Sequence, residues 1–311
     1  MTQEVHVFAP ATVANVACGF DTLGFAIRMP GDTVVARFVE QKGLRIKEIV
    51  GDGGKLSKDI EKNTATVAAL AYMEALNIDR GIELDIHKGL PIGSGLGSSA
   101  ASAVGGVMAV NELLGRPLSK KELLPFALKG EAIASGGAIH ADNVAPCLMG
   151  GIELVRSNKD LDTINIMPPK ALFAAVVLPN IEILTVESRA VLRKEIPMSD
   201  AITQWGNLAA LIAGFMKEDY GLIGRSLVDV IAEPYRSKLI PGFDKVKQAA
   251  LDAGALGCSI SGAGPAIFAL CEGDQTAFEA GEGMQQAFQS LGVACERYIS
   301  PINTEGAIRL K

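Results

Sequence analysis

The sequence predicts an α+β protein, and three observations support this class. The chain has 311 residues, a length that suits two domains of about 150 residues or one large domain. In its first half, a strand pattern, a glycine-rich loop and a helix pattern follow one another. In its second half the predicted order is strand–helix–strand–strand–helix–strand, the split βαβ arrangement. The pattern changes within "LDTINIMPPKA", so we expect one domain over residues 1–165 and another over 166–311.

Periodicity and capping signals place the elements of the first half. "EVHVFA" alternates as a strand does, and we expect Pro10 to end it. A helix over 64–76 begins after the cap residue Asn63, and alternating apolar residues predict a strand within 81–91. The remaining elements are a helix from Ser99 to about Leu114, a helix over 120–134 opened by the capping box "SKKE", a loop in "SGGAIHADNVAP" and a strand in "GGIELVRS".

The second half supplies the elements of the split βαβ unit. They are a strand in "ALFAAVVLP", mostly helical residues over 199–231, a helix in "FDKVKQAALDAG", two strands around the turn of "ALGCSISGAGPAIFALC", a helix in "TAFEAGEGMQQAFQSLG" and a strand in "VACERYIS".

Composition and charge exclude several classes of protein. The net charge of −6 and pI of about 5.3 argue against a nucleic-acid surface, which normally carries a basic patch. No apolar stretch approaches the ~18 residues of a membrane span. The five cysteines form no C-x-x-C pair, and the first residues contain no leader-like segment. We therefore expect reduced thiols and a cytoplasmic protein.

The stretch "PIGSGLGSSAAS" over 91–102 is the strongest local signal. Glycines let a main chain wrap closely around an anion, and the free N–H groups of the following helix attract negative charge. Serine hydroxyls at the helix start can also ligate a magnesium ion between phosphates. The pattern is neither a Walker loop, which needs a lysine, nor G-x-G-x-x-G. It predicts a phosphate cradle, although a helix start that only needs close packing would give the same pattern.

Glu131 is an independent candidate. It lies three, four and seven residues after Leu128, Ala127 and Leu124, on the apolar stripe of its predicted helix. A carboxylate there is unfavourable unless it is paired or bound to a metal ion, or unless it reaches water at the edge of the stripe.

These motifs resemble those of the GHMP kinases, a family of small-molecule kinases. The form P-x-G-x-G-L-G-S-S-A is matched at every specified position, "APATVANVACGFDTLGFAI" precedes it and "SGAGPAIFAL" follows it. The resemblance implies the GHMP kinase fold, with an N-terminal mixed α/β domain and a C-terminal ferredoxin-like domain. It also implies ATP and Mg²⁺ as cofactors and a homodimer. Three segments, "NVACGFDTLGFAI", "HADNVAPCLMGG" and "PYRSKLIPG", resemble the branch whose substrate is L-homoserine.

The resemblance also implies site residues. Catalytic roles fall to Asp142, Asn143, Glu131 and Ser99, and the last two are also the expected metal ligands. Expected substrate contacts are Asn15, Asp21, His140, Asp142, Arg189, Arg236 and Gly262. Expected ATP contacts are Asn63, Lys88, Pro91, Ile92, Gly93, Ser94, Gly95, Leu96, Gly97, Ser98, Ser99, Ala100 and Ala101.

Several of these residues have a plainer interpretation. Asn15 could cap a turn, Asp21 could start a helix, and Asn63 is a good helix cap. Lys88 closes a strand, and Arg189 could be an exposed helix residue.

The expected reaction is the phosphorylation of a substrate hydroxyl by ATP, in which positioning and charge neutralisation do most of the work. Asn143 cannot accept a proton, and Asp142 would be a poor base if it held the substrate ammonium, because that charge lowers its pKa. We expect no strong general base. A kinase for another alcohol, such as mevalonate or shikimate, and a non-catalytic ATP-and-ligand sensor remain alternatives.

Overall fold

The computed structural model describes residues 4–134, 136 and 140–311 and contains two β-sheets. Within these residues the first sheet has seven strands: β1 (Glu4–Ala14), β2 (Leu23–Val39), β3 (Gly43–Val50), β4 (Gly81–His87), β5 (Ile152–Ser157), β6 (Asp162–Ile166) and β11 (Ile308–Arg309). The strand order is β11-β1-β2-β4-β3, and β5 and β6 branch from β2. Neighbouring strands are antiparallel, except that β3 is parallel to β4.

Strand β1 runs through Pro10, so the prediction that this proline ends the strand is wrong. The register against β2 shifts between Pro10 and Thr12, which marks a bulge. A bulge tolerates proline because no ladder hydrogen bond there needs the missing N–H. The strand continues to Ala14 and carries Thr12 to the glycine-rich loop, where its N–H donates to the carbonyl of Leu96 over 3.1 Å.

Helices cover the first sheet and position the glycine-rich loop. They are α1 (Thr64–Ala75), α2 (Ser98–Leu113), α3 (Lys120–Ala134) and α4 (Ala141–Met149). Every residue of α2 from Ala100 to Leu113 is buried. A Cβ on Gly105 would lie 2.7 Å from Cγ2 of Val34 in β2, and one on Gly106 would lie 2.3 Å from the carbonyl oxygen of Ala65 in α1. The α2 backbone therefore packs directly against both neighbours, which fixes the position of its N-terminus.

Helix α4 corrects a second prediction. Residues 135–146 were expected to form a loop; residues 135 and 137–139 lie outside the described part of the chain, but Ala141–Met149 is helical. Pro146 lies inside this helix and cannot donate to the carbonyl of Asp142, four residues earlier. In the structure Gly24 packs against that carbonyl, and a Cβ on Gly24 would lie 1.8 Å from its oxygen. The carbonyl that the proline cannot reach therefore lies against a residue of strand β2.

The second sheet confirms the split βαβ prediction. Its strands are β7 (Leu172–Pro179), β8 (Gly257–Ile260), β9 (Ile267–Glu272) and β10 (Cys295–Pro301). They are antiparallel in the order β10-β7-β9-β8, which is the ferredoxin-like order. Helices α9 (Phe243–Asp252) and α10 (Asp274–Gln289) pack on the sheet. Between them and the sheet lies a separate core cluster that includes Val246, Met284 and Phe288.

The segment between β7 and α9 is mostly helical, as predicted. It contains α5 (Thr185–Ala190), α6 (Met198–Lys217), α7 (Tyr220–Ser226) and α8 (Glu233–Arg236). The chain passes from the first sheet to the second between β6 and β7, whereas β11 pairs with β1 in the first sheet. The boundary between residues 165 and 166 remains a prediction.

Two expectations from composition concern thiols and membranes. All five cysteines are free, as predicted, and Cys147 and Cys258 are buried. In the part of the chain that the structure describes, no helix combines the length and the apolar character needed to cross a bilayer.

Candidate active site

A cavity of about 340 Å³ lies where four segments meet. These are the glycine-rich loop before α2, the start of α4, helix α5 and the turn at 262–264 between β8 and β9. The segments come from both halves of the chain, so the cavity forms only when the two halves pack together.

The glycine-rich loop has a left-handed backbone at three of its glycines. Gly93, Gly95 and Gly97 have φ of +70°, +77° and +67°, which L-residues with a side chain rarely adopt. Gly97 is the N-cap of α2 and provides no side-chain cap. The first N–H groups of a helix have no intrahelical partner, and the helix dipole favours an anion there. Because Ser98 and Ser99 line the cavity, this helix end faces it.

Close packing accompanies this geometry. A Cβ on Gly95 would lie 2.6 Å from the Ser261 carbonyl oxygen and 2.7 Å from that of Gly264. The turn after β8 thus presses against the loop, and the hydroxyl of Ser261 donates to the Gly95 carbonyl over 2.7 Å. Both explanations of the glycines, an anion cradle and tight packing, are compatible with the same loop.

The expected ATP contacts divide into two groups. Eight residues line the cavity, namely Lys88, Ile92, Gly93, Ser94, Gly95, Gly97, Ser98 and Ser99. Pro91 lies on a neighbouring groove instead. Leu96, Ala100 and Ala101 are fully buried in the core, and the Ala101 N–H already donates to the Gly97 carbonyl over 2.8 Å. Side-chain contacts from these three residues to a nucleotide do not fit this placement, because the apolar side chains pack into the core.

Asn63 and Lys88 both have structural partners. The Asn63 side chain caps α1 by accepting from the Ala65 N–H over 3.1 Å, and its amide donates to the Ser57 carbonyl over 3.0 Å. Asn63 does not line the cavity, whereas its neighbour Thr64 does.

The Lys88 ammonium is buried. It pairs with the buried carboxylate of Asp32 and also donates to the Ser98 carbonyl over 2.9 Å and the Ser102 hydroxyl over 2.8 Å. Asp32 in turn accepts from the N–H groups of Gly89 and Leu90 over 3.0 and 3.1 Å. An ammonium has three hydrogens, and these three partners account for them. Lys88 and Asp32 therefore brace the two ends of the loop.

Ser99 and Glu131 are brought together from α2 and α3. The Ser99 hydroxyl donates to Oε1 of Glu131 over 2.9 Å, and both residues line the cavity. Burial raises the pKa of Glu131 to about 7, against the opposing effect of the Ser99 hydrogen bond. A carboxylate in this environment gains from a nearby cation.

Asp21 and Arg189 form a bidentate ion pair across the cavity. The two guanidinium nitrogens lie 3.0 and 2.9 Å from the two carboxylate oxygens. Nδ1 of His140 is 3.6 Å from Asp21 Oδ2, too far for a hydrogen bond, and burial lowers the pKa of this imidazole. Asp21 lies in a turn with φ of +55°, before β2, so the alternative that it starts a helix is wrong.

A second guanidinium stands behind this pair. Arg236 of α8 is 4% exposed and donates to the Ser188 carbonyl over 3.2 Å and to the Gly262 carbonyl over 2.9 Å. Asn15 donates to the same Gly262 carbonyl over 2.8 Å and accepts from the Asp21 N–H over 3.0 Å. All the expected substrate residues therefore line one cavity.

Asp142 and Asn143 occupy the first turn of α4. Burial, followed by the charge of Asp21, raises the pKa of Asp142 to about 7. Oδ1 of Asn143 accepts from the Thr12 hydroxyl over 2.7 Å. Both residues line the cavity. Asn143 lies beside Gly97, since a Cβ at position 97 would be 3.0 Å from its Oδ1, and Asp142 is close enough to Asp21 for that charge to affect its pKa.

Comparisons with known proteins identify the family. The model of the GHMP kinases N terminal domain matches residues 63–151, and that of the GHMP kinases C terminal matches residues 211–290. A homoserine kinase of Chlorobaculum tepidum is 52% identical over 317 residues, which cover 98% of each chain. The chain belongs to the GHMP kinase family. A homoserine kinase of Methanocella arvoryzae is 41% identical and covers 96% of this GHMP kinase and 95% of its own length.

Solved structures agree with this assignment. The crystal structure of a homoserine kinase from Cytophaga hutchinsonii has a TM-score of 0.97 and 52% identity, covering 100% of this chain and 98% of its own. A mevalonate kinase from L. major, solved with R-mevalonate, has a TM-score of 0.70 at 17% identity and covers 95% of each chain. The more distant structure shows the fold alone. This protein has the GHMP kinase fold, as the sequence predicted.

The donor set of this GHMP kinase suits a magnesium ion that also binds phosphates. Mg²⁺ prefers oxygen ligands and in nucleotide sites takes one or two from the protein, the rest coming from phosphate and water. The Ser99 hydroxyl and the Glu131 carboxylate are such oxygens, adjacent and in the cavity. Within the described residues, no group of three or more His, Cys, Asp or Glu side chains could hold a metal ion.

Sequence reasoning missed two polar residues of this GHMP kinase that touch the predicted site. Thr12 contacts Asn143, and Asp32 contacts Lys88. Thr12 lies inside the first family motif, so the motif was a signal for it. No local signal pointed to Asp32, which lies on a strand pattern and meets its partner 56 residues later.

Proposed function

We propose that this GHMP kinase transfers the γ-phosphoryl group of ATP to the side-chain hydroxyl of L-homoserine. The products are O-phospho-L-homoserine and ADP, and the step leads towards threonine. One observation carries the proposal: the guanidinium groups of Arg189 and Arg236 and the carboxylates of Asp21 and Asp142 line the same cavity as the glycine-rich loop. The similarity to homoserine kinases over nearly the whole chain supports it.

The charges of the cavity match those of a zwitterionic amino acid. The substrate carboxylate pairs with the guanidinium groups of Arg189 and Arg236, since planar guanidinium forks recognise carboxylates well. The substrate ammonium binds Asp21 and Asp142. Asp21 and Arg189 form an ion pair with each other, so each group exchanges part of this contact for one of the two charges of the substrate.

The phosphates of ATP bind the loop amides between Gly93 and Ser99. A Mg²⁺ ion held by Ser99 and Glu131 would neutralise phosphate charge when it is bound. Lys88 and Asp32 keep the loop in shape, because both loop ends are attached to this buried pair. Lys88 and Asp32 therefore affect the reaction indirectly, by maintaining the conformation of the loop.

The chemical step needs alignment more than a base. The substrate hydroxyl oxygen attacks the γ-phosphorus, the bond from that phosphorus to the β–γ bridging oxygen breaks, and ADP leaves with the electron pair. The hydroxyl proton is lost late in a loose transition state, to a phosphate oxygen or water. Asp142 and Asn143 position the hydroxyl. The pKa of Asp142 is raised to about 7 before substrate binds, and the bound ammonium lowers it.

A coupled assay of ADP release tests the substrate. We expect magnesium-dependent turnover with L-homoserine and none with mevalonate or shikimate. Two analogues isolate the recognised groups: 4-hydroxybutyrate lacks the ammonium and 3-aminopropanol lacks the carboxylate, and both should be poor substrates. Turnover of mevalonate or shikimate in preference to homoserine would assign another kinase activity. Nucleotide binding without turnover of any alcohol would indicate a sensor.

The role of Asp142 has its own test. We expect Asp142→Asn to raise KM for homoserine more than it lowers kcat, because a positioning and ammonium-binding group is lost. An unchanged KM with a collapsed kcat would identify Asp142 as a general base instead.

Assembly and location complete the proposal. The family resemblance supports a homodimer, which light scattering after size-exclusion chromatography tests directly. The cysteine pattern and composition support a cytoplasmic enzyme.

A further inference from the structure

The side chain of Thr12 contacts a residue of the candidate active site, although Thr12 itself has no role in the reaction proposed above. It lies on β1 just after the bulge, and its side chain is fully buried. Its N–H donates to the Leu96 carbonyl over 3.1 Å, which holds β1 against the glycine-rich loop. Its hydroxyl donates to Oδ1 of Asn143 over 2.7 Å. One residue of the first strand thus contacts both the phosphate loop and the start of α4.

This hydrogen bond constrains the orientation of the Asn143 amide. A carboxamide is planar, with an acceptor oxygen on one side and an NH₂ group with two donors on the other. The Thr12 hydroxyl takes one of the two acceptor positions of Oδ1 and holds this oxygen towards β1. We infer that the NH₂ group, on the other side of the planar amide, is the part that faces the cavity. Asn143 is half-buried and lines that cavity. It therefore offers hydrogen-bond donors to whatever binds there.

The surroundings leave the Thr12–Asn143 contact little room to move. Gly97 stands beside it, and a Cβ at position 97 would lie 2.1 Å from Oγ1 of Thr12 and 3.0 Å from Oδ1 of Asn143. The glycine therefore allows the N-cap of α2 to approach this pair. The amide consequently sits between the phosphate loop and Asp142, where the oxygen atoms of the two substrates meet in the proposed reaction.

We propose that Thr12 is a positioning residue that holds the Asn143 amide with its N–H groups towards the cavity. There they donate to an oxygen on the transfer path, either the acceptor hydroxyl or an oxygen of the transferred phosphoryl group. Donors aimed at developing negative charge lower a reaction barrier without having to reorganise. This inference rests on the proposed function, and it explains how an asparagine, which cannot accept a proton, contributes at this position.

Two substitutions separate the hydroxyl from the shape of the side chain. Thr12→Val keeps the branched shape and removes the hydroxyl, whereas Thr12→Ser keeps the hydroxyl and removes the methyl group. We expect Thr12→Val to lower kcat about tenfold or more, with KM for ATP and for homoserine changed less than about threefold. Thr12→Ser should keep kcat within about threefold of the original protein, although it loses buried methyl contacts. Thermal melting checks that both variants fold.

The orientation of the amide has a readout that needs no turnover. The side-chain NH₂ resonances of Asn143, assigned by their loss in Asn143→Asp, report its hydrogen bonding in a ¹H–¹⁵N spectrum. We expect Thr12→Val to shift these resonances and Thr12→Ser to leave them nearly unchanged. Backbone resonances of α4 serve as the reference for general structural change.

The outcomes distinguish this inference from the proposed function. If the unmodified protein turns over homoserine and Thr12→Val keeps its kcat, the inference is wrong and the proposed function stands. If the unmodified protein does not turn over homoserine, the proposed function fails, and the spectra alone decide whether Thr12 orients the amide. If the spectra of Thr12→Val match those of the unmodified protein, Thr12 does not hold the amide.

Discussion

The hydroxyl of Ser261 donates to the carbonyl of Gly95 over 2.7 Å and joins two glycine-rich turns that are 166 residues apart. One turn precedes α2 in the first half of the chain, and the other connects β8 and β9 in the second. The N–H of Ala266 also donates to the Ser94 carbonyl over 3.2 Å. The glycine-rich loop before α2 is therefore shaped by the second half of the chain as well as by its own glycines.

Substitution of Gly95 tests this contact. Gly95→Ala would place a Cβ 2.6 Å from the Ser261 carbonyl oxygen, so we expect a large loss of thermal stability and of ATP binding. Gly54→Ala is the matched control, because Gly54 has φ of +76° against +77° for Gly95 and open space around it. Gly54→Ala has the same backbone strain, about 1–2 kcal/mol, but its Cβ meets no neighbouring atom. Equal melting temperatures in the two variants would contradict the packing argument.

The Asp21–Arg189 pair predicts a selective effect on the amino-acid substrate. Arg189→Lys loses the bidentate fork that a carboxylate needs. We expect KM for homoserine to rise about tenfold or more while KM for ATP stays nearly constant. Arg193→Lys, an exposed arginine beside Tyr235, is the control and should behave as the unmodified protein. If Arg189→Lys raised both KM values, the substitution would act through a general change in structure and not through the substrate carboxylate.

Magnesium dependence tests Ser99. Ser99→Ala removes one expected ligand, and we expect the free Mg²⁺ concentration at half-maximal activity to rise by about tenfold. Ser98→Ala is the control, because the Ser98 hydroxyl donates to the Leu90 carbonyl over 3.0 Å and not to Glu131. The control should lose some stability and keep its magnesium dependence. The reverse result would move the ligand from Ser99 to Ser98.

The Lys88–Asp32 pair predicts a stability effect. Both side chains are almost completely buried, so Lys88→Met leaves a buried carboxylate without its partner. Such a change lowers the free energy of unfolding by about 3–5 kcal/mol. The double variant with Asp32→Asn should recover part of this loss, as measured by urea unfolding. A small effect of Lys88→Met on stability, together with a large rise in KM for ATP, would favour a direct nucleotide contact.

Asp142 predicts a pH dependence. Its pKa is raised from 3.8 to about 7 in the folded protein, so between these values the native state holds a proton that the unfolded chain releases. The free energy of unfolding contributed by Asp142 therefore falls as pH rises across this window and is constant above it. Asp142→Asn removes the titrating group, and the difference between the two proteins isolates its effect. Unfolding curves at several pH values measure this difference, and a difference independent of pH would contradict it.

The binding of homoserine should also depend on the ionisation of Asp142, but binding should become stronger as pH rises. The ammonium of homoserine prefers the ionised carboxylate, so KM for homoserine should fall as pH rises through about 7. Asp142→Asn should flatten this part of the profile. Calorimetry in buffers with different ionisation enthalpies should also detect proton release when substrate binds below that pH.

Much of the fold follows from local signals. The capped helix at 64–76, the strand before the glycine-rich loop and the ferredoxin-like unit were all predicted, because periodicity and caps depend on neighbouring residues. The two errors, at Pro10 and in α4, both involve proline. At Pro10 the register against β2 shifts, and in α4 the Asp142 carbonyl that Pro146 cannot reach lies against Gly24 of β2. Neither long-range contact could be predicted from the neighbouring residues.

The candidate site shows the same difference between features set by neighbouring residues and features set by distant ones. By itself the sequence located the glycine-rich loop and predicted its role as a phosphate cradle, since glycines, small residues and a helix start are properties of one short stretch. Only the tertiary structure decided that Asp21 pairs with Arg189, 168 residues away, and that the Thr12 hydroxyl donates to Asn143, 131 residues away. A side chain's hydrogen-bond partner depends on which distant segments pack together. That packing is determined by the burial of the whole core and not by any motif.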